Sequence, residues 1–192
     1  LMKVNVGLSN RHLHVSKEDL NILFGQDYEL THKKDLSQPG QYAAEEVVDI
    51  EGPKGTLKKV RILGPVRPET QVEISFADAR ALGVEPVVRE SGKLGNTPGC
   101  KLTGPNGTVE ITEGVIVASR HIHMHTDDAA KFDLKDKDIV NVETSGERGV
   151  IFKNVLVRVN PNYALEMHLD IEEGNSAGLK NGDFVEIIKI EK

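Results

Sequence analysis

The amino-acid sequence predicts a mainly β fold: two β-barrels capped by short α-helices and related by an internal repeat. Three observations lead there. Short runs of alternating apolar residues, rich in Val and Ile, are broken by Gly, Pro and Asn turns such as G-P-K-G and G-P-N-G, which is strand-and-turn patterning. Helix signals are few and brief. Arg-His-aliphatic-His occurs twice, as R-H-L-H at 11–14 and R-H-I-H at 120–123, 109 positions apart. Closing many short strands into barrels removes edges that would otherwise pair with other chains. No long helix or β-α alternation points to a doubly wound sheet.

The elements follow in order. The first apolar alternation covers Lys3–Leu8, and S-K-E-D-L then opens a helix with Ser16 as cap and an acidic first turn. Ala44–Ile50, Leu57–Leu63 and Gln71–Ser75 read as strands, and F-A-D-A-R-A-L (Phe76–Leu82) as a short helix. Thr108–Ile111 and Gly114–Ala118 lead into the second histidine motif, after which Thr126 caps T-D-D-A-A-K-F. Ile139–Glu143, Val150–Val159, Ala164–Leu169 and Phe184–Ile190 supply further strands. The repeat reaches beyond the histidines. A-D-A-R-A-L-G-V-E-P-V-V, A-A-K-F-D-L-K-D-K-D-I-V and S-A-G-L-K-N-G-D-F-V-E-I each read short helix, tight turn, valine-rich strand.

Composition narrows the class of function. A formal charge of −6 argues against a globally basic nucleic-acid surface. No run approaches the roughly 18 apolar residues of a membrane span, and the N-terminal region reads without a signal peptide. The single cysteine, Cys100, cannot form an internal disulfide and fits a reducing, cytoplasmic setting. From Pro53 to Arg67 there are five basic residues (Lys54, Lys58, Lys59, Arg61, Arg67) and no acidic one. Such a strip suits an anionic ligand, or simply solubility. Arg61 and Arg67, set among apolar residues, are its functional candidates.

The chemistry centres on histidine. Four of the seven histidines lie in the two motifs. Residues i and i+2 of a strand project from one face, so His12 with His14, and His121 with His123, can converge on an ion. Zinc takes three or four ligands, and His168 in A-L-E-M-H-L-D and Glu73 in T-Q-V-E-I-S are candidates for the rest. A carboxylate within an apolar strand is costly to bury without a cation. His125 continues the i, i+2, i+4 series but adjoins a helix start, and His32 reads as an exposed loop residue. The competing reading makes these histidines strand-end hydrogen-bonding groups repeated only by ancestry. Cys100 has no neighbour that would activate it as a nucleophile.

V-G-L-S-N-R-H-L-H-V-S, G-P-x-R-P-x-T-Q-V-E-I-S, A-S-R-H-I-H-M and M-H-L-D-I-E-E-G-N-S-A-G-L, in this order, resemble the PduL-type phosphotransacylases (phosphate propanoyltransferases). The similarity runs from about residue 4 to residue 188. It implies an enzyme that interconverts a short-chain acyl-CoA (propanoyl- or acetyl-CoA) plus phosphate with acyl phosphate plus CoA. It also implies two zinc ions per chain between two β-barrels, 1–10 plus 119–188 and 11–118. By motif, His12, His14 and Glu73 would hold one zinc, and His121, His123 and His168 the other. Arg67 would bind phosphate and act in catalysis. Leu8, Ser9, Asn10, Lys54, Arg61 and Asn175 would contact CoA. Family members tend to form homodimers. Many carry an amphipathic N-terminal extension that directs them to a bacterial microcompartment; none is seen here, so the expectation is a free cytoplasmic enzyme. Two other classes remain on the sequence: a zinc-dependent acyl-CoA hydrolase, and a non-catalytic β-barrel with structural zinc.

Overall fold

The computed structural model describes residues 1–190. The chain forms two compact units. One comprises Leu1–Ser9, Ser37–Pro39 and the chain from Ser119 onward; the other comprises Asn10–Leu36 and Gly40–Ala118.

The chain starts in the first unit with β1 (Lys3–Ser9) and crosses into the second with β2 (His12–His14). There α1 (Lys17–Phe24), β3 (His32–Asp35), β4 (Tyr42–Glu51), β5 (Thr56–Gly64) and β6 (Gln71–Glu73) follow. Next come α2 (Phe76–Leu82), β7 (Val88–Arg89), β8 (Cys100–Thr103), β9 (Thr108–Ile111) and β10 (Val115–Ala118). The chain then returns to the first unit with β11 (His121–Met124), α3 (Thr126–Phe132), β12 (Ile139–Glu143) and β13 (Ile151–Val159). β14 (Glu166–Asp170), α4 (Ile171–Ser176) and β15 (Phe184–Lys189) complete it.

The repeat is visible in the strand order. In the first unit five neighbouring strands run β1-β14-β11-β13-β12; in the second, β10-β6-β2-β5-β4. The pairings match in sense as well. β1–β14 and β10–β6 are parallel, β11–β14 and β2–β6 antiparallel, β11–β13 and β2–β5 parallel. Even the irregularities correspond. The fourth residue of β5 (Lys59, φ 55°) and the fourth of β13 (Asn154, φ 57°) are both left-handed. Each lies opposite a register shift in the antiparallel partner strand, the position of a bulge.

The sixth strand makes the difference. β15 pairs antiparallel with both β1 and β12 and closes a six-stranded barrel. In the second unit β4 is followed by β8 and β9, and β10 by the two-residue β7, so the sheet curls into an open half-barrel. Its free edges are short, which limits the row of unpaired backbone groups they present.

Each unit buries its own core. Leu13, Leu20, Ile50, Ile62, Val72 and Leu102 centre the second, and Val6, Ile122, Met124, Val157, Met167 and Leu169 the first. Capped short helices plug the sheets. Ser16 accepts the backbone N–H of Asp19, as the sequence predicts, and Ser75, which the sequence reads as a strand end, caps its helix by accepting the N–H of Asp78. Two predicted helix starts are corrected. His125, not Thr126, caps α3, because its Nδ1 accepts the Asp127 N–H while Thr126 already has helical geometry. The last helix begins at Ile171, capped by Asp170, upstream of the S-A-G-L stretch. That stretch forms the helix end and turn instead, with Gly178 at φ 67°.

Leu13 and Ile122 are fully buried residues placed between the histidines of their strands. Truncating either to Ala should cost about 2–5 kcal/mol of unfolding free energy, read as a lowered urea midpoint at unchanged slope.

Candidate metal centres

Strand register builds each centre. In the second unit β2 runs antiparallel to β6, with His12 opposite Glu73 and His14 opposite Gln71. In the first unit β11 runs antiparallel to β14, with His121 opposite His168 and His123 opposite Glu166. Alternation then sends four polar side chains to one face of each strand pair, while Leu13 and Ile122 turn to the core. His12, His14 and Glu73 bring three donor atoms within 4.8 Å of one another, and so do His121, His123 and His168.

The close spacings are hydrogen-bond distances that also suit ligands around an ion. Glu73 Oε2 lies 3.0 Å from His12 Nε2 and 3.1 Å from His14 Nε2. Nε2 of His121 and Nε2 of His123 are 3.1 Å apart. Two ligands at about 2.05 Å and a tetrahedral angle on zinc would be separated by roughly 3.3 Å. The tautomers are also set. His12 Nδ1 lies 2.8 Å from the Asn10 carbonyl and His121 Nδ1 lies 2.7 Å from the Ser119 carbonyl. A carbonyl only accepts, so Nδ1 carries the proton and Nε2 offers its lone pair to the cluster. A lone pair facing a carboxylate or a second imidazole needs a cation between them, whether a proton or a metal ion.

Electrostatics in the second unit follow from this arrangement. Burial works against a charged His12, but the adjoining Glu73 carboxylate outweighs it and holds the pKa above the ordinary value. For His14 burial dominates, and its pKa lies below. Burial alone would raise Glu73; the charges and hydrogen bonds of His12 and His14 hold it well below the usual carboxylate range. The site therefore presents an ionised carboxylate and imidazoles, the donor types zinc accepts.

The arginine of each motif has its own task. Arg11 Nη1 donates to Asp78 Oδ1 at 2.7 Å, and Arg120 Nε donates to Glu173 Oε2 at 2.7 Å. Asp78 and Glu173 hold equivalent places, the third residue in the capping box of the helix that follows the third donor. Each arginine thus ties the strand bearing two histidines to the helix behind the strand bearing the third donor. Asp78, Glu173, Gln71, Glu166 and Ser91 are structural partners that sequence reasoning missed. Only the capping pattern S-x-x-D and D-x-x-E signalled the first two.

The remaining candidates fall as follows. Arg67 donates its backbone N–H to Val15 and its Nη1 to Ser91 Oγ at 3.3 Å, and its charge acts on both His12 and His14. Arg61, opposite His12 on β5, donates Nη1 to the Ala44 carbonyl at 2.8 Å. Lys54 lies instead over Gly83, at the end of α2. In the first unit the Leu8 side chain packs against Gly174 of α4, next to exposed Asn175, and Ser9 Oγ donates to the Leu169 carbonyl. Asn10 caps the Arg11 N–H. His125 is spent on its helix, and exposed His32 pairs with Asp35 on β3. Cys100 is buried, and burial pushes its thiol up to about 12. Among the described residues no helix is long and apolar enough to cross a membrane.

Comparison with known proteins adds the family context. The family model of the phosphate propanoyltransferases matches residues 5–180. A phosphate propanoyltransferase of Thermotoga maritima is 58% identical over 185 residues, covering 96% of this chain and 88% of that protein. Proteins of the same name are similar in Rhodopseudomonas palustris (55% identity; 97% and 83% coverage) and Listeria monocytogenes (48%; 97% and 87%).

Because both arginine–carboxylate clamps are partly exposed, each should contribute about 1 kcal/mol or less. A double-mutant cycle over Arg120→Ala and Glu173→Ala, read by urea denaturation, should return a favourable coupling of that size and lose most of it in 1 M salt.

Proposed function

As a member of the phosphate propanoyltransferase family this chain is an acyltransferase, and we propose that it interconverts propanoyl-CoA or acetyl-CoA plus phosphate with the acyl phosphate plus CoA, using one zinc ion in each donor triad. The observation that carries this reading is a single family match spanning both triads and Arg67.

His12, His14 and Glu73 would hold one ion, and His121, His123 and His168 the other. Zinc bound there supplies a Lewis acid for the thioester carbonyl and a soft partner for a departing thiolate. Arg67 binds and orients phosphate. Its planar guanidinium suits two phosphate oxygens at once, and Ser91 holds it beside the first triad. A phosphate oxygen then attacks the thioester carbon, the carbon–sulfur bond breaks, and CoA leaves as thiolate. Holding both anions in line is where positive charge contributes most. Cys100 offers no alternative nucleophile, since a buried thiol with a pKa near 12 stays protonated at neutral pH. Leu8, Ser9, Asn10, Lys54, Arg61 and Asn175 would contact CoA. Each barrel-like domain, 1–10 with 119–188 and 11–118, contributes one triad.

Thiol release from propanoyl-CoA should require phosphate; equal release without it would make the protein a hydrolase. Arg67→Ala should lower kcat/KM for phosphate by roughly 10- to 100-fold, the scale of one lost charge-assisted hydrogen bond. Cys100→Ala should leave turnover unchanged. Chelation should abolish turnover and remove two zinc ions per chain while far-ultraviolet circular dichroism persists, because each unit keeps an apolar core apart from its donors. Unfolding on chelation would favour structural zinc.

A further inference from the structure

Each third donor has a polar neighbour two residues earlier on the same strand and the same face: Gln71 before Glu73, and Glu166 before His168. The two neighbours are chemical opposites, and each matches its donor. Gln71 is 2% exposed, and its Nε2 donates to Glu73 Oε2 at 3.0 Å. Its orientation is not arbitrary. Gly92 N–H, which can only donate, lies 2.8 Å from Gln71 Oε1, so the amide nitrogen must face Glu73. The same nitrogen reaches Ser91 Oγ at 3.0 Å, the hydroxyl that also receives Arg67.

Glu166, 7% exposed, reverses the polarity. Its Oε1 receives His168 Nε2 at 2.5 Å and Ser37 Oγ at 2.5 Å, and its Oε2 receives Asn5 Nδ2 at 3.3 Å. The backbone has been shaped around this carboxylate. A Cβ on Gly7, on neighbouring β1, would stand 2.8 Å from Oε1. With the Nε2 proton held by Glu166, Nδ1 is the nitrogen of His168 left with a lone pair.

We propose that Glu166 and Gln71 are positioning residues for the two metal centres: an acceptor that orients the imidazole of His168, and a donor that orients the carboxylate of Glu73. This rests on the reading of both triads as zinc centres and extends it to the groups that aim the third ligand. A ligating imidazole needs its other N–H held, and a ligating carboxylate needs its lone pairs directed. An ionised carboxylate only accepts, so Glu can serve the imidazole but not another carboxylate, and the amide of Gln stands beside Glu73 at the otherwise matching position. Gln71 has a further consequence: through Ser91 it couples the aim of Glu73 to the place of Arg67.

The test is zinc binding by the whole protein, with zinc alone as the probe, titrated against a chromophoric chelator. Cobalt(II) spectra report donor geometry, and thermal melts of the metal-free variants report folding. The wild type should take up two ions per chain. Glu166→Ala and Gln71→Leu should each weaken one of the two ions by about 10- to 100-fold and leave the other unchanged. The isosteric changes separate positioning from packing. Glu166→Gln keeps an acceptor oxygen and should restore most of the affinity. Gln71→Glu sets an acceptor against Glu73 and should bind no better than Gln71→Leu. If the alanine variant does not fold, the isosteric pair carries the comparison. Wild-type protein with two ions, and variants with affinities and cobalt spectra unchanged, overturn this inference alone. A wild type that binds no zinc overturns the metal reading and this inference together.

Discussion

Antiparallel register between a histidine-bearing strand and its partner is the constraint on which the candidate centres depend. His12 and His14 share a face in any extended strand, but the third donor arrives only because β6 pairs with β2 so that Glu73 lies opposite His12. In the other unit β14 does the same with His168 opposite His121. Slipping either pair by one residue would turn the third donor to the opposite face and bring a core residue into its place. Leu13, Val72, Ile122 and Met167, all buried beside the donors, make that slip expensive. The apolar core therefore holds the polar cluster in register, and the chemistry depends on packing.

Burial gives the clusters their character. A carboxylate and two imidazoles gathered away from water would be unfavourable unless a cation satisfied them or they exchanged protons. In the second unit Glu73 stays ionised because His12 and His14 face it at hydrogen-bonding distance. Backbone carbonyls of Asn10 and Ser119 then fix which nitrogen of the leading histidine is presented. The candidate donor set is thus arranged by neighbours outside it. The same holds for the arginine of each motif, whose partner is a helix-capping carboxylate.

The two units share a plan and diverge where function would ask for it. Strand order, pairing sense and the left-handed bulge residue recur in both. The third donor does not: it is glutamate in one unit and histidine in the other, and the residue two positions earlier changes with it from glutamine to glutamate. Arg67, with Ser91, stands by the glutamate-containing triad. Closure differs too, β15 completing one barrel while β7 and β9 leave the other sheet open.

Much of this was legible in the residues. Alternating Val and Ile runs located most of the longer strands, Ser16 and the F-A-D-A-R-A-L stretch located two helices, and the duplicated R-H-x-H pointed to the repeat and to the two donor clusters. The family resemblance assigned Glu73 and His168 to their partners. What stayed hidden has one cause: pairing distant in sequence leaves no local mark. β3 is fully exposed and polar, β7 has two residues, and neither shows a period. Gln71 and Glu166 look like ordinary polar residues until register sets them opposite His14 and His123. Local sequence determined which side chains could bind an ion and which face each would take, because strand alternation is a property of consecutive residues. Only tertiary structure decided which of those faces meet, which neighbour holds each ring or carboxylate, and which sheet closes, because those depend on backbone hydrogen bonds between strands far apart in the chain.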